Sequence, residues 1–221
     1  MNGSMRTLVT VAAVMVTTPG WAEGIAVGGR VGTLGVGFEV TKRMREDLNL
    51  RAGINQYNYD RSGVEDGIDY SADLELNSGA VMVDWFPFRG GFRATGGVLL
   101  NRNELRMAAS SSASYTIGST TYTGAEVGSL TGKVDFDNTV APYLGVGWGN
   151  AVGSKGNLSF GVDLGVVFQG DANVDLVADG LMAGDPTFQA ELAEEEAQLR
   201  SSLDTLSNYP VLSVGVGYRF K

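Results

Sequence analysis

The carboxy-terminal stretch from Pro210 to Lys221 alternates strictly between apolar residues and small or polar ones. A period of two indicates a β-strand with two different faces. In a soluble sheet the face opposite the core meets water and carries long polar side chains, whereas here it carries mostly glycine and serine. This pattern is typical of a membrane β-barrel strand, apolar towards lipid and small or polar towards the lumen. The apolar face is Leu212, Val214, Val216, Tyr218 and Phe220, and the opposite face is Ser213, Gly215, Gly217 and Arg219.

The same alternation predicts six further strands. Bacterial single-chain barrels have an even number of strands, so one more is needed. That strand is either Ile25–Val31 or Val174–Ala178. We therefore expect an all-β fold, which is a transmembrane antiparallel up-and-down β-barrel of eight strands. A change of parity at 77–79 predicts a β-bulge. The six predicted segments are 33–41, 48–54, 70–86, 92–101, 134–148 and 158–169.

The connections between these strands differ in length. Outer-membrane barrels have short periplasmic turns and longer extracellular loops. This chain shows the same asymmetry, which supports the barrel over a soluble periplasmic β-sandwich. The short connections are 41–47, 87–91 and 153–157, and the long polar ones are 60–69, 108–130 and 171–209. Within 108–130, the stretch Tyr115–Tyr122 predicts a small hairpin.

Residues 1–22 have the pattern of a secretory signal peptide. Arg6 precedes an apolar run over 8–16, and a small-x-small motif predicts cleavage after Ala22. The remaining 23–221 fit one barrel domain in the bacterial outer membrane. Cleavage would remove one of the 16 basic residues and none of the 25 acidic ones, so the net charge would change from −9 to −10. A chain this acidic is a poor nucleic-acid binder.

Two residue types are absent, since the chain has no cysteine and no histidine. Disulfides, thiol chemistry, Ser-His nucleophiles and histidine-based metal sites are therefore excluded. An enzyme would need an Asp pair or a Ser-Lys scheme, and no two inward acids stand out as such a pair. We expect no catalytic residues, no cofactor and no metal.

One segment departs from the alternation. Asp185 followed by Pro186 matches a helix N-cap with proline at the first helical position. The sequence predicts an amphipathic helix over 186–206, inserted before the last strand and outside the cell. It is either a lid on the barrel mouth or an interfacial or partner-binding element. Its apolar side is Phe188, Leu192, Leu199, Leu203 and Leu206.

Three acids and three arginines fall on the inward faces of the predicted strands. The interior of an eight-stranded barrel is just wide enough for side chains to fill it, and unpaired charge there is costly. We expect a salt-bridged network that closes the lumen, the alternative being that some of these residues sit at the wet rims. Many inward positions are glycine, which either allows strand curvature or leaves space for a solute, a loop or the helix. The six charged residues are Glu39, Arg51, Asp84, Arg93, Asp163 and Arg219.

Several motifs together resemble a proteobacterial group of small outer-membrane β-barrel proteins of uncharacterised function, similar in style to OmpA, OmpW and opacity proteins. The motifs lie at 32–39, 50–55, 84–93, 132–136, 141–150 and 214–220.

This resemblance implies an outer-membrane barrel and supplies no catalytic residues. Such barrels usually end on an aromatic residue that the barrel assembly machinery reads. Here Tyr218 and Phe220 form the expected assembly signal, although Lys221 follows them. We expect a monomer whose partners are outer-membrane lipids, lipopolysaccharide and that machinery. The expected function is a non-enzymatic structural or surface-interaction role with a mostly closed lumen. The alternatives are a narrow channel for small solutes and, from another class, a lipid-modifying barrel enzyme.

Overall fold

The computed structural model describes residues 24–65, 68–111, 114–118, 120–153 and 156–220. The expected signal peptide with its cleavage site and Lys221 lie outside these ranges. No helix within them is long and apolar enough to cross a bilayer. The elements are β1 Ile25–Gly32, β2 Gly35–Arg45, β3 Leu48–Glu65, β4 Ile68–Trp85, β5 Phe92–Asn101, β6 Glu104–Ser111, β7 Ser114–Ile117, β8 Thr120–Thr123, α1 Gly124–Val127, β9 Ser129–Phe136, β10 Val140–Trp148, β11 Leu158–Phe168, β12 Ala172–Ala178, α2 Pro186–Leu203, a 3₁₀ turn Asp204–Ser207 and β13 Asn208–Arg219.

Eight of these strands close into an antiparallel barrel. Their order is β4-β3-β2-β1-β13-β11-β10-β5, and β5 closes the barrel by pairing with residues 78–85 of β4. This end of β4 is called its lower half below. The predicted eight-stranded barrel is therefore confirmed. The strand that the sequence left open is β1, which pairs with β2 on one side and β13 on the other. The other candidate, Val174–Ala178, lies in β12, outside the barrel.

The outer surface of the barrel is an exposed apolar belt. Exposure reaches 67% for Ile54 and 74% for Phe160. A surface of large apolar side chains around a whole barrel is suited to lipid and not to water. Further members of the belt are Val31, Val36, Val40, Leu50, Val81, Val83, Val98, Leu100, Leu144, Val146, Leu158, Val162, Leu164, Leu212, Val214 and Val216.

The change of parity in β4 is not a bulge, so that prediction was wrong. The β3–β4 register runs unbroken from Leu48↔Trp85 to Glu65↔Ile68. The outer-facing residues of β4 change instead from apolar to polar, from Val81 to the exposed Asn77. Leu74 lies on the inner face of the strand and is partly buried. This change marks the level at which the outer face passes from lipid to water. The predicted loop at 60–69 is likewise mostly strand.

Above the belt the sheet continues into a second body, here called the outer lobe. It comprises the upper halves of β3 and β4 together with β6–β9, β12, α1 and α2, and β6, β9 and β12 extend the sheet from β4. The predicted single strand 134–148 is thus two strands, because β9 belongs to the lobe and β10 to the barrel. The small hairpin predicted at Tyr115–Tyr122 is formed by β7 and β8.

The helix predicted before the last strand is confirmed as α2. Asp185 caps it by accepting from the N–H groups of Thr187 at 2.9 Å and Phe188 at 3.0 Å. The side chains of Phe188 and Leu192 are buried in the lobe. Their core is shared with Tyr115, Ile117, Tyr122, Val127 and Ala178.

Candidate functional site: the barrel lumen and the outer lobe

The lumen contains a cluster of ion pairs centred on Arg51 and Asp163. The Arg51 guanidinium lies 2.9 Å from Asp84, 3.2 Å from Asp163 and 3.4 Å from Glu39. Arg93 donates to Asp163 at 2.7 Å. These five residues come from five different strands, so the cluster ties β2, β3, β4, β5 and β11 together across the lumen.

A sixth member of the cluster is Arg30 of β1. Its guanidinium lies 2.6 Å from Asp163 and 3.1 Å from Glu39. Three arginines thus meet three carboxylates, which leaves the cluster neutral. The central side chains are almost fully buried, with exposures of 5% for Arg51 and 2% for Asp163. Because an unpaired charge is costly at such burial, loss of any one partner would leave an uncompensated charge inside the barrel.

The structure brings together Glu39, Arg51, Asp84, Arg93 and Asp163 of the six residues predicted from the sequence. Arg219 lies near the lower mouth, where it donates to the carbonyl of Val152 at 3.1 Å. Sequence reasoning missed Arg30 because β1 was only one of two candidate strands. The signal was present, since Arg30 has the same parity as the inward Gly28.

An apolar layer lies above the ion pairs, on the side of the outer lobe. On β5 the order from below upwards is Arg93, Thr95 and Leu99, and on β11 Asp163 is followed by Val167. The layer packs mostly apolar side chains against one another inside the lumen, together with the ring of Tyr143. Its buried members are Met82, Leu99, Ala141, Tyr143, Val167 and Val211.

The inward glycines give this layer and the cluster their space. A Cβ on Gly145 would lie 2.5 Å from the Tyr143 hydroxyl, and one on Gly147 would lie 3.0 Å from Nε of Arg93. Larger residues would therefore collide with the lumen side chains. The space beside these glycines is occupied by the side chains of Tyr143 and Arg93 and is not an open passage. The space left among the charged residues is about 30 Å³, enough for one or two waters.

Both ends of the lumen are also covered. At the lower end the segment 149–153 folds inwards, the Val152 side chain is fully buried, and its carbonyl accepts from both Arg43 and Arg219. At the upper end the buried Gln169 accepts from the Asn101 amide at 3.1 Å and donates to the Leu206 carbonyl at 2.8 Å.

In the outer lobe, α2 binds both β12 and the β7–β8 hairpin through its acids. Glu191 accepts from the hydroxyls of Thr120 at 2.7 Å and Tyr122 at 2.8 Å. This hydrogen bond to a carboxylate raises the pKa of Tyr122 above its ordinary value. Glu196 accepts from the Leu176 N–H at 2.8 Å, and Arg200 donates to the Val174 carbonyl at 2.8 Å.

The proposed assembly signal lies on the lipid side of the barrel, with Tyr218 near the end of β13 and Phe220 directly after the strand. The rings of Tyr218 and Phe220 meet edge to face with centroids 5.4 Å apart. Both are exposed, at 44% and 41%. The side chains are therefore accessible, and their role in assembly stays a prediction.

Neither a protein-family model nor a curated protein matches this sequence. The solved structures similar to it include two outer-membrane proteins of Acinetobacter baumannii. CarO2 shares 21% identity over 89% of this chain and 98% of its own, with a TM-score of 0.59. CarO shares 21% identity over 88% of this chain and 97% of its own, with a TM-score of 0.58. The chain therefore has the fold of a small outer-membrane β-barrel protein.

Proposed function

We propose that this protein is a non-enzymatic outer-membrane barrel with a closed lumen, which serves to hold the outer lobe at the cell surface for structural or surface interactions. The observation that supports this most directly is the filling of the lumen. Ion pairs around Asp163, an apolar layer around Tyr143 and covers at Val152 and Gln169 follow one another along the axis.

The carboxylates of the lumen support a structural role over a catalytic one. Asp84 and Asp163 are each held by arginines, and Asp84 also accepts from the Thr95 hydroxyl at 2.7 Å. A general base needs a free carboxylate within reach of a substrate proton, and these two are neither free nor reachable. Most of the acidic side chains on the surface of the protein lie on the outer lobe. This suits recognition of basic partners.

Lipids and the barrel assembly machinery are the other proposed partners. The apolar belt matches the acyl chains of the membrane, and β13 presents Tyr218 and Phe220 to the outside, where an assembly factor could read them. Lipopolysaccharide would surround the base of the acidic outer lobe, with divalent cations bridging the two. In this proposal the protein acts as a monomer.

Conductance in planar bilayers tests the closed lumen. We expect no unitary current steps from the purified protein in concentrated potassium chloride. The positive control is the pore-forming peptide gramicidin, added to the same bilayer to show that unitary steps are resolved. The purified protein is first shown to be folded by its shift between unheated and boiled samples in detergent gels. Regular current steps from the unchanged protein would favour the narrow channel instead.

A further inference from the structure

Among the described residues, the upper half of β3 is a sheet edge on the side that faces away from β4. Pairing between β2 and β3 ends at Val36↔Gln56, because β2 begins at Gly35. β3 nevertheless continues to Glu65, paired on its other side with β4. Every residue from 56 to 64 is exposed, and among the described residues no strand pairs with this side of β3.

The register identifies which backbone groups point to the open side. Phe86 N–H donates to the Asp47 carbonyl, so the odd-numbered residues of β3 exchange hydrogen bonds with β4. Backbone direction alternates along an antiparallel strand, so the even-numbered residues point towards β2. Above Gln56 that side is open. The N–H and C=O groups directed to it belong to Asn58, Asp60, Ser62 and Val64.

The opposite edge of the same sheet is closed. β12 is the last strand there, and α2 covers it with Glu196, which accepts from the Leu176 N–H, and Arg200, which donates to the Val174 carbonyl. Proteins commonly protect edge strands in this way because a free edge can pair with another chain. One edge of the outer lobe is thus covered and the other is left open.

The two faces beside the open edge differ in chemistry. On the outer face Asp60 lies directly opposite Asp73, and Asn58 lies opposite Glu75. Like charges opposite each other are unfavourable. Asp73 has Arg106 of β6 opposite it on its other side, whereas Asp60 faces the open edge, where a basic side chain on a neighbouring strand would relieve its charge. On the inner face Tyr57 and Tyr59 are 44% and 48% exposed, which favours apolar or aromatic neighbours.

We propose that residues 57–64 of β3 are a β-strand addition site for an extended segment of a partner protein that alternates basic and apolar residues. Main-chain hydrogen bonds to the even-numbered residues supply affinity, and the acidic outer face with the two tyrosines supplies selectivity. This inference rests on the proposed surface-interaction function and names the class of partner.

Proline substitutions at the open side give a sharp test. Asn58→Pro with Ser62→Pro removes two N–H groups that β4 does not use, whereas Asn58→Ala with Ser62→Ala removes the same side chains and keeps both donors. The probe is a fluorescent ten-residue peptide that alternates lysine and valine, titrated onto the protein in lipid nanodiscs. We expect the proline pair to bind at least about tenfold more weakly, because two main-chain hydrogen bonds are lost, and the alanine pair to bind within about twofold of the parent.

A second peptide separates strand pairing from charge attraction. Methylation of alternate backbone nitrogens keeps every lysine but blocks one edge of the peptide, so its binding should be lost. Equal binding of both peptides, or of the proline and alanine pairs, would overturn the proposal. So would proline-sensitive dimers of the protein alone in mass measurements, because the occupant would then be a second copy. Conductance is independent of these readouts, so failure of the closed-lumen function would be seen separately.

Discussion

Asp163 is the residue on which the lumen depends most. It contacts Arg30 at 2.6 Å, Arg93 at 2.7 Å and Arg51 at 3.2 Å while its own exposure is 2%. Besides Asp163, Arg30 and Arg93 each have one acidic partner and Arg51 has two. Removal of this one carboxylate would leave net positive charge in a space with room for only one or two waters, which is a larger cost than the loss of any single pair.

Asp163→Asn should therefore destabilise the barrel by about 3–5 kcal/mol, because the shape is kept and the charge is lost. Urea unfolding in detergent, followed by tryptophan fluorescence, measures the change in the free energy of unfolding. Asp175→Asn is the matched control, since Asp175 is exposed on β12 and should change stability by less than about 0.5 kcal/mol. Equal effects of the two substitutions would mean that the ion pairs do not hold the lumen closed.

A second residue-scale prediction concerns Glu126 at the start of α1. Its carboxylate accepts from the backbone N–H and the hydroxyl of Thr123, and these hydrogen bonds lower the pKa of Glu126 below its ordinary value. A lowered folded pKa means that the stabilisation is present above the unfolded value of about 4.3 and is lost as the pH falls through the folded pKa.

Acidification below about pH 4 should accordingly loosen the α1 region in the parent protein. Glu126→Gln removes the titrating group, so the part of the pH dependence that belongs to Glu126 should disappear. Amide hydrogen exchange around Val127, compared at two acidic pH values, measures it. An unchanged pH dependence in the variant would show that other acids are responsible.

At the scale of elements, α2 acts as an edge cover as well as a packed helix. Its apolar residues fill the core of the lobe, and its polar residues Glu196 and Arg200 bind the free backbone of β12. Whether a helix before the last strand was a lid or a partner-binding element could not be decided from its sequence. The deciding contacts are made with β12, which lies in a stretch read as a polar loop.

Removal of this cover should leave the edge of β12 free to pair with another chain. Glu196→Ala combined with Arg200→Ala exposes the Leu176 N–H and the Val174 carbonyl, so self-association in detergent should increase. Light scattering after size-exclusion chromatography reports the mass. Glu195→Ala with Gln198→Ala removes two neighbouring side chains of the same helix and should leave the mass of the parent protein unchanged. An unchanged mass in the first pair would contradict the role of α2 as an edge cover.

The last strand, β13, offers a test of assembly. Phe220→Ala should lower the fraction of protein that migrates as folded barrel from cells several-fold, because the exposed aromatic end is the expected signal. Val216→Ala, on the same lipid face but away from the end, is the control and should assemble normally. Deletion of Lys221 should leave assembly intact or improve it. Normal assembly of the Phe220 variant would show that the signal lies elsewhere.

At the scale of the whole molecule, the barrel was predictable and the outer lobe was not. Alternation with glycine opposite large apolar residues is a local pattern, and it located most barrel strands and the inward side of Asp84, Arg93 and Asp163. The lobe is built by pairing of β4 with β6, β9 and β12, whose sequences alternate weakly and whose partners are distant in the chain. The same limit explains the misread bulge at 77–79, since a change of solvent and a change of register look alike in one sequence.

The seam of the barrel has a consequence for the order of events during folding. β1 pairs with β13 along its whole length, from Ala26↔Arg219 to Gly32↔Ser213, so the two ends of the described chain meet there. The cylinder cannot close before β13 has been synthesised, and contacts between such distant segments form slowly. Until then the belt of apolar side chains has neither lipid nor sheet around it. The apolar belt of the complete but unclosed chain is therefore exposed to association with other chains until β13 pairs with β1.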